Sequence, residues 1–172
     1  GKKTLAQKID SAVFPGSQGG PLEHIIAAKA VSFHEALQPS FKEYQQRVLA
    51  NAQSMARAFI EEGGRLVSGG TDNHLLLLDV TVWDVTGKQA EQWLEAVEIS
   101  VNKNMIPFDP RPAMDPSGLR LGTPAITTRG FTETDSAKLA HLIAELLKSK
   151  NDPVVATRIK QEVQKLAHSY PL

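Results

Sequence analysis

The 172-residue chain has the length of one ordinary domain, and its 41% hydrophobic residues suffice for a core, which excludes a disordered tail. Its 19 basic and 19 acidic residues balance, so no general attraction to nucleic acid or an anionic membrane is expected. The absence of cysteine excludes a disulfide scaffold, a cysteine-ligated zinc site and a thiol nucleophile. No apolar run approaches the roughly 20 residues of a membrane span. The start, GKKTLAQKID, lacks the apolar stretch of a signal peptide, so we expect a soluble, cytoplasmic protein.

The first predicted helix follows a glycine- and proline-rich stretch, FPGSQGGP, at residues 14–21. Pro21 is expected at the first helical position, where its missing N–H costs nothing. An apolar stripe then continues until Pro39 ends the helix. Ser40 is expected to cap a second, longer helix, which ends at the glycine pair that starts with Gly63. The residues expected to face inward on this second helix are Phe41, Tyr44, Val48, Ala52, Met55 and Phe59.

Strands and helices alternate in the rest of the chain. The predicted strands are RLVSG, NHLLLLDV, ISVNKN and GLRLGT, and the four leucines of the second favour a strand covered on both faces. Thr86 and Thr132 are each expected to precede a helix. A last helix is predicted with Val154, Val155, Ile159, Val163 and Leu166 inward. This order predicts an α/β or α+β fold with a small sheet covered on one face, and a boundary near Gln38 and Pro39.

The glycine-rich stretch stands directly before a predicted helix, a position that suits an anion. Turns of this kind present backbone N–H groups to negative ligands, and the helix dipole adds to the attraction. Gly19 and Gly20 have no side chains that would keep a phosphate at a distance. On spacing alone the pattern favours a plain turn before a helix, and it matches neither the P-loop nor the dinucleotide-binding fingerprint. Both interpretations stay open on these residues alone.

Arg120 lies inside a predicted strand, in the stretch SGLRLGTPAITTRG. Strand alternation places Leu119 and Leu121 on one face and Arg120 on the other. A guanidinium on a rigid strand suits a carboxylate or phosphate held through two parallel hydrogen bonds. The alternative is an arginine that extends from the sheet into solvent. Arg129, beside a glycine, is expected to have a structural or helix-capping role.

The histidines do not indicate a metal site. His24 and His34 are too far apart on one predicted helix to share a metal, and His141 and His168 lie on other helices. His74, at the start of a predicted strand, is either catalytic or a structural residue that forms hydrogen bonds. We therefore expect no bound metal.

Four stretches together resemble the serine hydroxymethyltransferase (glycine hydroxymethyltransferase) family. They are AVFPGSQGGPLEHIIAAKAV, SGGTDNHL, VNKN and SGLRLGTPAITTRG, in that order. The resemblance extends over essentially the whole chain, and four motifs in order are far more specific than one. It implies the C-terminal portion of an aspartate-aminotransferase-like, fold type I pyridoxal-phosphate enzyme. Residues 1–38 would end the large cofactor-binding domain, and residues 39–172 would form the small domain.

The resemblance also implies what the complete enzyme does. Such enzymes interconvert serine plus tetrahydrofolate with glycine plus 5,10-methylenetetrahydrofolate, use pyridoxal 5'-phosphate, and are dimers or tetramers. Their cofactor lysine belongs to a segment upstream of the glycine loop, and Lys2 and Lys3 lie too near that loop to replace it. The chain by itself is therefore expected to hold no catalytic residue and to be inactive. The alternative is a stand-alone, non-catalytic assembly module derived from this family.

Individual roles follow from the resemblance, residue by residue. Gly19 and Gly20 would bind the cofactor phosphate of the neighbouring subunit, and Phe14 would lie near the folate site. Arg120 would bind the carboxylate of the amino acid. Asn104, with the proline-rich loop that follows it, would line the tetrahydrofolate pocket.

Overall fold

A computed structural model of the chain describes residues 4–171; Lys2 and Lys3 lie outside the described residues. The chain divides into two compact units, Gly1–Phe41 and Lys42–Leu172. This division falls shortly after the boundary expected near Gln38 and Pro39, inside a helix rather than between two helices. The assignment of the first part to a large cofactor-binding domain stays a prediction.

The first unit contains two helices, α1 (Leu5–Val13) and α2 (Glu23–Ala36). The sequence analysis missed α1, although Thr4 and Gln7 form a capping box: the Gln7 N–H donates to Thr4 Oγ1 at 3.3 Å, and the Thr4 N–H donates to Gln7 Oε1 at 2.9 Å. The placement of Pro21 at the first position of α2 was wrong. The helix begins two residues later, with Leu22 as an N-cap residue that provides no side-chain hydrogen bond.

No residue of the first unit is buried within its described part, residues 4–41. Its large apolar side chains are all at least one-third exposed in this chain, and Leu37 is 82% exposed. Two helices of this length cannot enclose a core of their own, because each can cover only one stripe of the other.

The second unit begins within α3 (Pro39–Glu61) and continues through four short strands and four more helices. The strands are β1 (Arg65–Leu66), β2 (Leu75–Asp79), β3 (Asn102–Asn104) and β4 (Gly118–Gly122). The helices are α4 (Gly87–Ala96), α5 (Pro124–Arg129), α6 (Glu133–Lys148) and α7 (Pro153–Ser169). Short 3₁₀ turns cover Val67–Gly69 and Thr81–Trp83. The mixed α/β class is confirmed.

The long helix α3 starts at Pro39, so Pro39 does not separate two helices and Ser40 is not its cap. A proline is favourable at a first helical position because the N–H it lacks would have no partner there. Phe41 and Tyr44 remain partly exposed, contrary to expectation. The other predicted inward residues are buried: Val48, Ala52, Met55 and Phe59.

The four strands form one antiparallel sheet in the order β1-β2-β4-β3. Along β2, Leu76 and Leu78 are buried, whereas Leu75 is 37% exposed and Leu77 is half-buried. A strand covered on both faces was therefore a wrong expectation for these leucines, because helices cover only one face of this sheet within the described residues. The buried face continues across β4 through Leu119 and Leu121.

The core lies between this sheet face and the helices. The helix α4 contacts β3 and β4 and packs on α6, which in turn packs on α7. Predicted inward positions of α7 are confirmed at Ile159, Val163 and Leu166, while Val154 is exposed.

Buried hydrogen bonds connect α3 to α5, a short helix that the sequence analysis missed. Asn51 Nδ2 donates to Thr127 Oγ1 at 2.8 Å and to the Phe131 carbonyl at 3.0 Å. Thr123 Oγ1 donates to the Val48 carbonyl at 2.8 Å. These bonds fix the segment that follows β4 against the core.

Arg129 lies in the last turn of α5, and the structural role expected for it is confirmed. Its Nε donates to the Tyr170 carbonyl at 2.9 Å, and its Nη2 donates to the Ala167 carbonyl at 2.7 Å. The guanidinium thus satisfies carbonyls at the C-terminal end of α7. None of the helices within residues 4–171 has both the length and the apolarity to cross a membrane.

Candidate functional site

Arg120 lies near the middle of β4, opposite Leu77 of β2 on one side and Asn102 of β3 on the other. Its neighbours Leu119 and Leu121 are buried, and its own side chain is exposed on the other face. Strand alternation produces this arrangement, as the sequence analysis predicted. Because β4 lies between β2 and β3, the backbone of Arg120 is held on both sides, and only its side chain is free to change conformation.

Within the described residues the guanidinium of Arg120 makes one hydrogen bond, from Nε to Asn102 Oδ1 at 3.1 Å. Within residues 4–171 no carboxylate forms an ion pair with it. Both terminal nitrogens are therefore available to a ligand, while the bond to Asn102 restrains the plane of the group. A guanidinium in this state can hold a carboxylate with two parallel hydrogen bonds.

Asn104 shares this sheet face with Arg120, because residues two apart on β3 point the same way. It lies opposite Gly118, and its Nδ2 donates to the Met105 carbonyl at 2.7 Å. The structure thus brings together two of the predicted site residues, Arg120 and Asn104.

A cavity of about 580 Å³ opens on this face. The turn between β1 and β2 forms one wall, and Leu77, Asn104 and Arg120 form part of the other. Within the turn, Thr71 Oγ1 donates to the Leu75 carbonyl at 2.6 Å, and the Leu75 N–H donates to Asn73 Oδ1 at 2.8 Å. The wall is thereby fixed to the start of β2, and the cavity combines apolar surface with amide and guanidinium groups.

The loop between β3 and β4 is organised around Asp109. Asp109 Oδ2 accepts hydrogen bonds from the N–H groups of Ile106 at 3.1 Å and Ser117 at 2.9 Å. Asp109 Oδ1 accepts from Ser117 Oγ at 2.7 Å and from the Arg111 N–H at 2.9 Å. One carboxylate therefore joins Ile106, the second residue of this loop, to Ser117, its last.

These contacts change the acidity of Asp109. Burial by itself raises the pKa of the carboxyl, but the hydrogen bonds from Ser117, Arg111 and Ile106 outweigh it and lower the pKa to about 2. The charged form is thus favoured in the folded chain relative to the unfolded one, whose pKa is near 3.8.

We expect the free energy of unfolding to depend on pH through the ionisation of Asp109. Because its pKa is lowered on folding, the stabilisation is complete above about pH 4 and is lost as the pH falls towards 2. Asp109→Asn should lower the free energy of unfolding near pH 7 and have little effect near pH 2. Urea titrations of both proteins across this range would measure it; a difference that does not depend on pH would contradict it.

The glycine loop lies in the first unit, between α1 and α2, with a cis peptide bond between Phe14 and Pro15. Gly16 packs against the end of α1: a Cβ there would lie 2.5 Å from the Ala12 carbonyl oxygen. Gly19 and Gly20 differ, because a Cβ on either would meet nothing within 4 Å. Neither residue adopts a positive φ, so contacts within the described chain do not require glycine at these two positions.

The N–H groups of Gly19 and Gly20 donate to no acceptor within residues 4–171. Phe14 is 62% exposed at the end of α1. The loop therefore presents bare backbone and one aromatic ring on the surface of its unit. This surface suits close approach by an anion, or by another chain.

Sequence reasoning missed Asn102 and Asp109. The signal for Asn102 was present, because strand alternation in VNKN places it on the same face as Asn104. Asp109 carried no comparable signal, since its partners become neighbours only when the long loop folds. Residues 4–171 contain no group of three His, Asp or Glu side chains that could hold a metal ion.

Comparisons with known proteins identify the family of this chain. A family model described as serine hydroxymethyltransferase matches residues 1–143. The chain is 52% identical over 168 residues to serine hydroxymethyltransferases of Halorhodospira halophila and of two strains of Acinetobacter baumannii. The match covers 98% of this chain but 40% of each relative, so the chain spans less than half the length of these curated relatives. The chain belongs to the serine hydroxymethyltransferase family and corresponds to its C-terminal portion.

Proposed function

We propose that this chain is the C-terminal part of an enzyme that interconverts serine plus tetrahydrofolate with glycine plus 5,10-methylenetetrahydrofolate. The observation that carries the proposal is Arg120, whose guanidinium lies in a cavity with both terminal nitrogens available. Family membership makes an amino acid the expected ligand of this site.

Arg120 binds the carboxylate of serine or glycine in this proposal. Fixing the carboxylate orients the α-carbon, so that the bond to be broken meets the reacting group at a productive angle. The rigid central strand supports this role, because the arginine backbone cannot shift with the ligand. Asn102 restrains the side chain through Nε and leaves the terminal nitrogens for the carboxylate.

The glycine loop binds a phosphate in this proposal. The N–H groups of Gly19 and Gly20, which have no partner within residues 4–171, would donate to the phosphate of pyridoxal 5'-phosphate held by a neighbouring subunit. The open space around both glycines fits such a group. When bound, pyridoxal phosphate supplies the electron sink for chemistry at the α-carbon, and the protein supplies orientation.

Folate would lie against Asn104 and Phe14. Within residues 4–171 the Asn104 side chain makes one hydrogen bond, from Nδ2, so its Oδ1 remains available as an acceptor. Phe14 offers an exposed ring on which a planar group can stack. The two residues belong to different units, so their joint role rests on the family rather than on a contact within this chain.

A chimera tests the proposal directly. The upstream part of the Halorhodospira halophila relative is joined to this chain, and the purified protein is supplied with pyridoxal phosphate, serine and tetrahydrofolate. Tetrahydrofolate-dependent formation of glycine is the expected result. A chimera that folds and binds pyridoxal phosphate, yet forms no glycine, would refute the proposed function.

A non-catalytic assembly module is the second candidate, and the exposure of the first unit favours it. Leu5, Ile9 and Val13 form an apolar stripe on α1, and all three are exposed. Monomeric proteins rarely expose apolar patches larger than a few hundred Å². Such a surface is suited to another copy of the chain or to the rest of the enzyme.

We expect the chain by itself to self-associate through this surface. Sedimentation velocity over a concentration series should show species larger than a monomer, and an apolar dye should bind. Leu5→Gln combined with Ile9→Gln should reduce both signals. A strictly monomeric chain at high concentration, with no dye binding, would be the opposite result.

A further inference from the structure

We propose that Asp109 is a positioning residue for the carboxylate site: it holds β3 and β4 in the register that sets Asn102 and Asn104 beside Arg120. The inference rests on the proposed function, in which Arg120 binds the substrate carboxylate. Asp109 contacts neither the amino acid nor pyridoxal phosphate in this scheme and acts through Arg120.

The geometry of the loop carries this proposal. Residues 105–117 connect β3 to β4, and a connection of that length does not by itself determine how two antiparallel strands align. Asp109 fixes the alignment, because its Oδ2 accepts hydrogen bonds from the Ile106 N–H near the start of the loop and from the Ser117 N–H at its end. Ser117 immediately precedes β4 and is buried, so the carboxylate holds the chain directly before the strand begins.

The register so defined determines the site. Asn104 pairs with Gly118 next to the loop, and Asn102 pairs with Arg120 two residues further on. A shift by one residue would turn Arg120 towards the opposite face of the sheet relative to Asn102. The Nε bond to Asn102 would then be lost, and the guanidinium plane would no longer be restrained.

The other loop carboxylate provides a matched control. Asp115 pairs with Arg111 inside the same loop, and its hydrogen bonds with Thr86 and the Lys88 backbone lower its pKa. It does not join Ile106 to Ser117. Removing its charge should therefore leave the alignment of β3 and β4 unchanged.

The test is a double-mutant cycle in the chimera. Asp109→Asn places an amide N–H₂ against the backbone N–H donors of the loop, which weakens the alignment of β3 and β4. Because Arg120 is then less well restrained, we expect KM for serine to rise by about tenfold while kcat falls by less than about threefold. Asp115→Asn should leave KM for serine near wild type, because Asp115 does not join Ile106 to Ser117. In an Arg120→Lys background, Asp109→Asn should change KM by less than about twofold, because the residue through which it acts is already gone.

A second readout does not depend on catalysis. In the ¹⁵N-labelled chain, the Arg120 Nε–H should exchange with solvent more slowly than that of an unbonded arginine, and Asp109→Asn should remove this protection. If Asp109→Asn fails to fold, Ser117→Ala removes one of the same hydrogen bonds and should shift both readouts less in the same direction.

The outcomes separate the two proposals. An Asp109→Asn chimera with wild-type KM, or with the same KM increase in both backgrounds, would overturn the positioning role. Unchanged Nε–H exchange in the labelled chain would overturn it too. Suppose that the wild-type chimera forms no glycine, while Asp109→Asn does remove the Nε–H protection of Arg120 in the labelled chain. That pair of results would refute only the proposed function.

Discussion

Replacing Arg120 with lysine should lower kcat/KM for serine in the chimera by about 30- to 1,000-fold. Lysine keeps the positive charge but lacks the planar fork that holds a carboxylate through two hydrogen bonds. The loss of such a contact in a closed site costs about 2–4 kcal/mol, which corresponds to that range of rates. An arginine that merely extends into solvent would change stability or rate by about 0.5 kcal/mol at most.

Steady-state kinetics with serine, and glycine binding followed by absorbance of the bound cofactor, measure this effect. Arg57→Lys is the control, since Arg57 is an exposed arginine on α3 whose ion pair with Glu133 spans 3.7 Å. The melting temperature and cofactor content of Arg120→Lys should match wild type. If Arg120→Lys retains its cofactor and binds serine normally, Arg120 does not bind the carboxylate.

Replacing Phe59 with alanine should lower the free energy of unfolding by about 3–5 kcal/mol. Phe59 is fully buried on α3 and is one of the largest side chains in the core between sheet and helices. Its removal takes away buried apolar area and leaves a cavity that the surrounding side chains fill only in part. This loss is a large fraction of the roughly 5–15 kcal/mol that stabilises a typical domain.

Urea unfolding of the chain, followed by circular dichroism at one protein concentration, measures this loss. Ile60→Ala is the matched control, because Ile60 is the next residue on the same helix and is 49% exposed. Its effect should stay below about 1 kcal/mol, apart from the small preference of helices for alanine. Equal losses at both positions would show that α3 does not bury the face that the structure assigns to it.

The sequence alone predicted the features that depend on neighbours along the chain. Apolar spacing at Val48, Ala52, Met55 and Phe59 defined the buried face of α3, because helix periodicity places these residues on one side. Alternation in GLRLGT placed Arg120 opposite its two leucines. Four local motifs identified the family, since each is a contiguous stretch of residues.

Local patterns also failed where two signals competed. Pro39 has the same effect on the sequence pattern whether it ends one helix or begins the next, and the structure shows the latter. The short helix α5 lies within the motif SGLRLGTPAITTRG, which we had considered, beyond the predicted strand, only as a source of binding residues and not for its secondary structure. The four leucines of β2 predicted burial on both faces, but their spacing carries no information on whether a second layer is present.

Only the tertiary structure decided how residues far apart in the sequence meet. The bond between Arg120 and Asn102 depends on the register of β3 against β4, which a connecting loop of residues 105–117 leaves open until Asp109 joins its two ends. Asn51 likewise finds Thr127 and Phe131 only when α3 lies against α5. Periodicity reports which face of an element is apolar, whereas a cross-strand partner is set by loop closure and packing over the whole unit. For this chain, the sheet face on which Arg120 lies could therefore be predicted from the sequence, and the contacts of its guanidinium could not.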